Sequence, residues 1–137
     1  MQYRNGGLPQ YCSDRGSYHY EITYNDNAII RARTVPCAVA SQQGPYAAVP
    51  PDLVAPAKDA VARGLDCILK TQYRRRGQIM AWCAQYDEDT LLPAKARAFE
   101  LASLSGDKSV AIVRFLLGME NPSPVVKTTI ESAVAWF

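Results

Sequence analysis

"DLVAPAKDAVARGLDCILKTQ", residues 52 to 72, decides the fold class. Val54, Ala57, Val61, Leu65, Ile68 and Leu69 recur at spacings of three and four, which gathers them on one face of an α-helix. Asp52 can cap its start, and Pro56 lies near enough to that start to be tolerated. A helix of this length with one apolar face has to bury that face against other elements.

The segments around it supply those elements. Downstream, "GQIMAWCAQY" at 77–86 reads as extended, an apolar run bounded by Gly77 and by the acidic trio Asp87, Glu88 and Asp89. "SLSGDKSVAIVRFLLGM" reads as a helix capped by Ser105, with Ile112, Phe115, Leu116 and Met119 on one side. "NPSPVVKTTIESAVAWF" opens a further helix with Ser123 as N-cap and Pro124 at the first helical position. Val126, Ile130, Val134 and Phe137 would line its buried face. Upstream, residues 1–21 are rich in Gly, Asn, Ser and Pro and read as loop. "NDNAIIRAR" starts a helix, with Asn25 or Asp26 as N-cap ahead of Ala28, Ile29 and Ala32. "TVPCAVASQQGPYAAVPP", with four prolines, reads as irregular. Short helices joined by long loops give an all-α stack of helical hairpins with little β structure.

The 137 residues suit a single domain, 48% apolar and 20% charged. A formal charge of +2 argues for neither nucleic acid nor membrane as partner. No run of about 18 apolar residues exists to span a bilayer, and the polar start carries no signal-peptide pattern. Arg74, Arg75 and Arg76 read as a solvated loop before Gly77. Cys12, Cys37, Cys67 and Cys83 contain no CxxC, and His19 is the only histidine, which argues against a zinc site. Cys67 and Cys83 read as buried thiols. Trp82, Tyr24 and Tyr86 could stack on sugar faces, but read first as core. Asp26 reads locally as a helix cap, Asp87 as a turn residue, and Glu88 and Asp89 as solvated carboxylates. The final helix reaches Phe137 on an apolar residue without a stop signal, so the chain reads as a fragment or as packed there under a partner.

The sequence resembles the family 10 pectate lyases. The resemblance rests on "NGGLPQY" at 5–11, "ITYNDNA" at 22–28, "GLDCILKTQ" at 64–72 and "AWCAQYDEDTLLPAKARAFELASLSG" at 81–106. "NPSPVV" and "AVAWF" near the end complete it, and all occur in the family's order. The stretch from about Thr34 to Asp52 departs, being richer in proline, and Lys108 stands where the family usually has Glu.

The resemblance implies an (α/α) toroid of packed helical hairpins, of which residues 1–137 would be the N-terminal part of the catalytic domain. It implies secretion and β-elimination on polygalacturonate, with calcium as cofactor. A truncated domain that binds calcium and pectate without turnover is the other reading. The family's calcium aspartates match Asp26 and Asp87, and substrate contacts are expected at Asn27, Gln85, Lys95 and Arg97. The family's base is an arginine, and the resemblance places it beyond Phe137. Arg97 does not inherit that role.

Overall fold

The computed structural model describes residues 2–11 and 17–137. Cys12 therefore lies outside the described residues, as do the side chains of Ala28, Ile29 and Ala32. Four helices dominate: α1 (Ala28–Ser41), α2 (Pro51–Thr71), α3 (Gly106–Leu117) and α4 (Pro124–Trp136). α1 packs on α2, and α3 on α4. Between these pairs runs a loop layer with four two-residue strands, β1 (Ile22–Thr23), β2 (Arg74–Arg75), β3 (Gln78–Ile79) and β4 (Gln85–Tyr86). The fold is helical, with few strands and no barrel.

The apolar face expected on α2 is the one that packs. Val54, Cys67 and Ile68 are buried, and Leu65 and Leu69 lie against the core. Its end is fastened by polar groups. The Thr71 hydroxyl donates to the Cys67 carbonyl at 2.8 Å and meets the Tyr24 phenol at 2.6 Å. The Gln72 amide donates to the carbonyls of Met80, at 2.8 Å, and Thr129, at 2.9 Å, tying α2 to the loop layer and to α4. Trp82, fully buried, sits where the two helical pairs meet. Its indole N–H donates to Ile68 on α2 at 2.8 Å, and its backbone N–H to the Ser109 hydroxyl on α3 at 3.0 Å.

Several sequence expectations are corrected. The proline-rich stretch is not irregular throughout: α1 runs through Pro36 to Ser41. An interior proline removes one helical hydrogen bond, and packing against α2 offsets that loss. Pro45 falls in a 3-10 turn, and Pro51 begins α2, where a proline lacks only an amide that had no partner. The N-cap of α1 is Asn27, not Asn25 or Asp26, and its side chain makes no capping bond. Asp26 (φ 52°) and Asn27 (φ 57°) both turn left-handed, a conformation their side chains tolerate better than most. The segment 77–86 is not one strand. β3 pairs with β2 in a hairpin whose two turn residues, Arg76 and Gly77, have positive φ as such turns require. Arg74, Arg75 and Arg76 are exposed on this hairpin rather than in a loop. On α4 the buried residues are Val126, Thr129 and Ala133, so Val134 and Phe137 point outward.

Gly6 fixes the N-terminal loop to α2. Its φ is +88°, and an added Cβ would collide with the backbone of Arg63 and Gly64. Gly6→Ala is therefore expected to cost at least about 2 kcal/mol, since neither backbone can yield and the conformation is itself strained. A urea melt checks this through the midpoint.

Candidate functional site

The site grows from the pairing of β1 with β4. These strands run antiparallel, with Ile22 opposite Tyr86 and Thr23 opposite Gln85. Both are buried, so the register is fixed by the core. One step beyond Ile22 is Glu21, and one step beyond Tyr86 is Asp87. The ladder thus delivers two carboxylates side by side, and Glu88 follows. Glu21, Asp87 and Glu88 each bring an oxygen within 4.8 Å of the others, all half-buried.

The three carboxylates are held differently. Asp87 Oδ1 accepts from the Thr90 hydroxyl and amide, both at 2.7 Å, and from the Asp89 amide at 3.1 Å. This is a side-chain-closed turn, and the Thr90 hydroxyl above all holds the Asp87 carboxyl below its ordinary pKa. All these bonds fall on one oxygen. Glu21 has no such support: its Oε2 is buried without a hydrogen-bond partner. Burial first, then the charges of Glu88 and Asp87, push its carboxyl up to about 7. The Asn5 amide donates to the Glu88 carbonyl at 2.6 Å, which explains why the "NGG" loop belongs to the same site. The donor set is all oxygen, with no Cys or His, which suits a hard cation such as calcium rather than zinc.

Two adjoining cavities open beside this group. One, of about 460 Å³, is lined by Tyr18, Glu21, Asp87, Glu88 and Lys95. The other, of about 630 Å³, is lined by Tyr18, Asp26, Gln85, Arg97 and Phe99. Tyr18, Ala94 and Ala96 belong to both. The Gln85 amide donates to the Tyr18 carbonyl at 2.9 Å, and its Oε1 is buried without a partner. Asn27 Oδ1 is likewise buried and unsatisfied. Arg97 is exposed; its Nε donates to the Tyr18 phenol at 3.4 Å, and Glu100 stands 3.6 Å away. The Tyr18 hydroxyl, then the Tyr18 and Glu100 charges, hold the Arg97 guanidinium more firmly protonated than usual.

Asp87 therefore lies in a group of three carboxylates, and Asp26 does not join it. Asp26 lies past the opposite end of β1, exposed, on the wall of the larger cavity with Gln85 and Arg97. Lys95 stands with Asp87. Glu21, which sequence reasoning passed over, stands beside Asp87 instead, and Glu88, read as solvated, is half-buried next to them. The signal for Glu21 was the pairing of "EIT" with "QYD", and pairing between distant two-residue strands leaves almost no pattern in a sequence. Asp89 is exposed as expected. Trp82, Tyr24 and Tyr86 are core, at 0%, 1% and 1% exposure, so none of them is open to a sugar. No described helix is long and apolar enough to cross a membrane.

This architecture is that of a polysaccharide lyase. The family 10 polysaccharide lyase from Cellvibrio cellulosa superposes with a TM-score of 0.91 at 36% identity, over 98% of this chain and 42% of that one. An Asp-to-Ala mutant of the Cellvibrio enzyme, in complex with trigalacturonic acid, matches with the same score, identity and coverage. The chain thus spans less than half the length of these structures. No curated protein gives a significant match. The chain belongs to the pectic acid lyase family, whose profile matches residues 1–137.

Proposed function

We propose that this chain forms the cation-holding and substrate-binding part of a calcium-dependent pectate lyase that cleaves polygalacturonate by β-elimination. The observation that carries this reading is the Glu21–Asp87–Glu88 group, with its orphaned buried Glu21 oxygen, beside cavities that offer Lys95 and Arg97. Three carboxylates with an unsatisfied oxygen fit a hard divalent cation and are poorly balanced without one. The trigalacturonic acid bound to the Cellvibrio mutant supports an acidic oligosaccharide as ligand. The two helical pairs would be consecutive steps of an (α/α) toroid, residues 1–137 would form a single domain within it, and secretion follows from a polymeric plant substrate.

Elimination removes the proton at C5 of a galacturonate ring, expels the C4 oxygen and leaves a C4–C5 double bond. When bound, calcium supplies Lewis acidity to the substrate carboxylate, against which the developing negative charge is spread. Glu21, Asp87 and Glu88 would hold the ion, and Asp26 adds a carboxylate on the adjoining wall. Lys95 and Arg97 would pair with carboxylates of the polymer. Gln85, on the wall of the larger cavity, would offer an acceptor that lacks a protein donor, whereas Asn27 Oδ1, though also unsatisfied, lines neither cavity. Arg97 is unsuited to take the proton, because its surroundings strengthen its protonated form. That favours a second reading, in which this chain binds calcium and pectate without turnover.

Incubating the chain with polygalacturonate and calcium, and following ultraviolet absorbance of the unsaturated product, separates the two. A chelator-sensitive rise establishes the lyase. No rise with pectate binding intact establishes the second reading, and no binding at all overturns both.

A further inference from the structure

We infer that Phe99 is an aromatic platform for a sugar ring, forming with Gln85 and Arg97 a subsite for one unit of an acidic oligosaccharide. The inference rests on the reading above, which assigns no role to Phe99. Its ring is 98% exposed, the most open large apolar side chain among the described residues. It also belongs to the wall of the larger cavity. Chain looseness does not explain the exposure. The Glu100 amide donates to the Arg97 carbonyl at 3.0 Å, and the Ala96 amide to the Glu100 carbonyl at 3.1 Å. The Arg97 amide donates to the Glu100 carboxylate at 3.3 Å. These bonds close the turn that carries Phe99, and its side chain projects from that turn into solvent. A phenylalanine held out of the core by a closed turn presents a face.

A galacturonate unit has three kinds of surface, and this cavity offers a partner for each. One pyranose face is a patch of C–H bonds, which stack on the negative face of an aromatic ring. The hydroxyls need acceptors, and Gln85, on this wall, has an Oε1 that no protein donor reaches. The carboxylate needs a cation, and Arg97 lies two residues before Phe99 on the same turn. The aromatics that sequence reading put forward for stacking are all in the core. Of the two rings on this cavity's wall, Phe99 is open and Tyr18 is half-buried.

Calorimetric titration of the chain with trigalacturonate in excess calcium tests this. Phe99→Ala should weaken binding about tenfold at both low and high salt, as loss of a stacked ring predicts. Phe99→Tyr and Phe99→Trp should keep the affinity of the unaltered chain, and the emission of the introduced indole should shift on titration. Arg97→Ala should weaken binding at low salt, with the difference shrinking at high salt. The melting temperature of Phe99→Ala should be unchanged. If Phe99→Ala binds as the unaltered chain does, or the indole emission does not move, the subsite is overturned and the pectate reading stands. If the unaltered chain does not bind trigalacturonate, that reading fails, and the subsite with it.

Discussion

Replacing Trp82 by alanine is expected to remove about 3–5 kcal/mol of stability, a large share of the roughly 5–15 kcal/mol that a domain usually has. The indole is fully buried among residues contributed by both helical pairs. Its removal leaves a cavity that the surrounding helices cannot close without shifting against each other. It also removes the 2.8 Å indole donor from the Ile68 carbonyl, which keeps only the longer bond from the Thr71 hydroxyl at 3.3 Å among its side-chain donors. The backbone bonds of residue 82, from Ser105 at 2.8 Å and to Ser109 at 3.0 Å, hold the start of α3 in place and would loosen with it. Trp82→Phe separates the two contributions. It keeps most of the packing, loses the indole hydrogen bond, and should cost about 1–3 kcal/mol. Urea titration followed by circular dichroism measures both. An unmoved midpoint for Trp82→Ala would show that the helical pairs do not meet at this residue.

Trp82 also shows how far the sequence could be read. A tryptophan inside a continuous apolar run is most economically a core residue, and it is one. The long helix was legible because its apolar period persists over six turns, and Ser123–Pro124 announced the start of α4 through local chemistry alone. α1 was not legible past Thr34, because Pro36 is a local signal against helix and the compensation comes from α2, through tertiary packing. The face of α4 was misjudged for a related reason. Thr129 is buried and its carbonyl accepts from the Gln72 amide, a polar tie to α2 that apolar spacing cannot announce, and Val134 is left outside. Around the candidate site, the motif singled out Asp87 and Asp26, which the structure places on different walls, and nothing singled out Glu21 as a neighbour of Asp87. The difference lies in the register of β1 on β4. One residue of slip would replace Glu21 by another neighbour, and nothing in two two-residue strands announces that register.

That register crowds the carboxylates, which gives the metal-free fold a pH dependence of definite sign and, on the calcium reading proposed above, sets stability against cation binding. Glu21 has an ordinary carboxyl value of 4.5, raised to about 7 in the folded chain. A raised acid binds its proton more tightly when folded, so without metal the fold is most stable below the unfolded value. It loses that stability as pH rises from about 4.5 to about 7. Asp87, whose carboxyl is lowered, acts oppositely and elsewhere: its contribution is present above the ordinary value of 3.8 and is lost only in acid below that. In metal-free buffer the melting temperature should therefore fall between pH 5 and pH 8, and calcium should restore it at pH 8, because the ion binds the ionised group. Glu21→Gln should flatten this dependence, raise the metal-free melting temperature at pH 8, and weaken calcium by about tenfold or more. Asp87→Asn keeps an oxygen that can accept from Thr90 and Asp89, so the turn should survive while calcium binding is lost. Asp87→Ala should lose both. Calorimetric calcium titration with melting curves at the two pH values reads every arm. If Glu21→Gln binds calcium as the unaltered chain does, the cation is held elsewhere. If Asp87→Asn melts like Asp87→Ala, the turn depends on the charge of Asp87 rather than on its accepting oxygen.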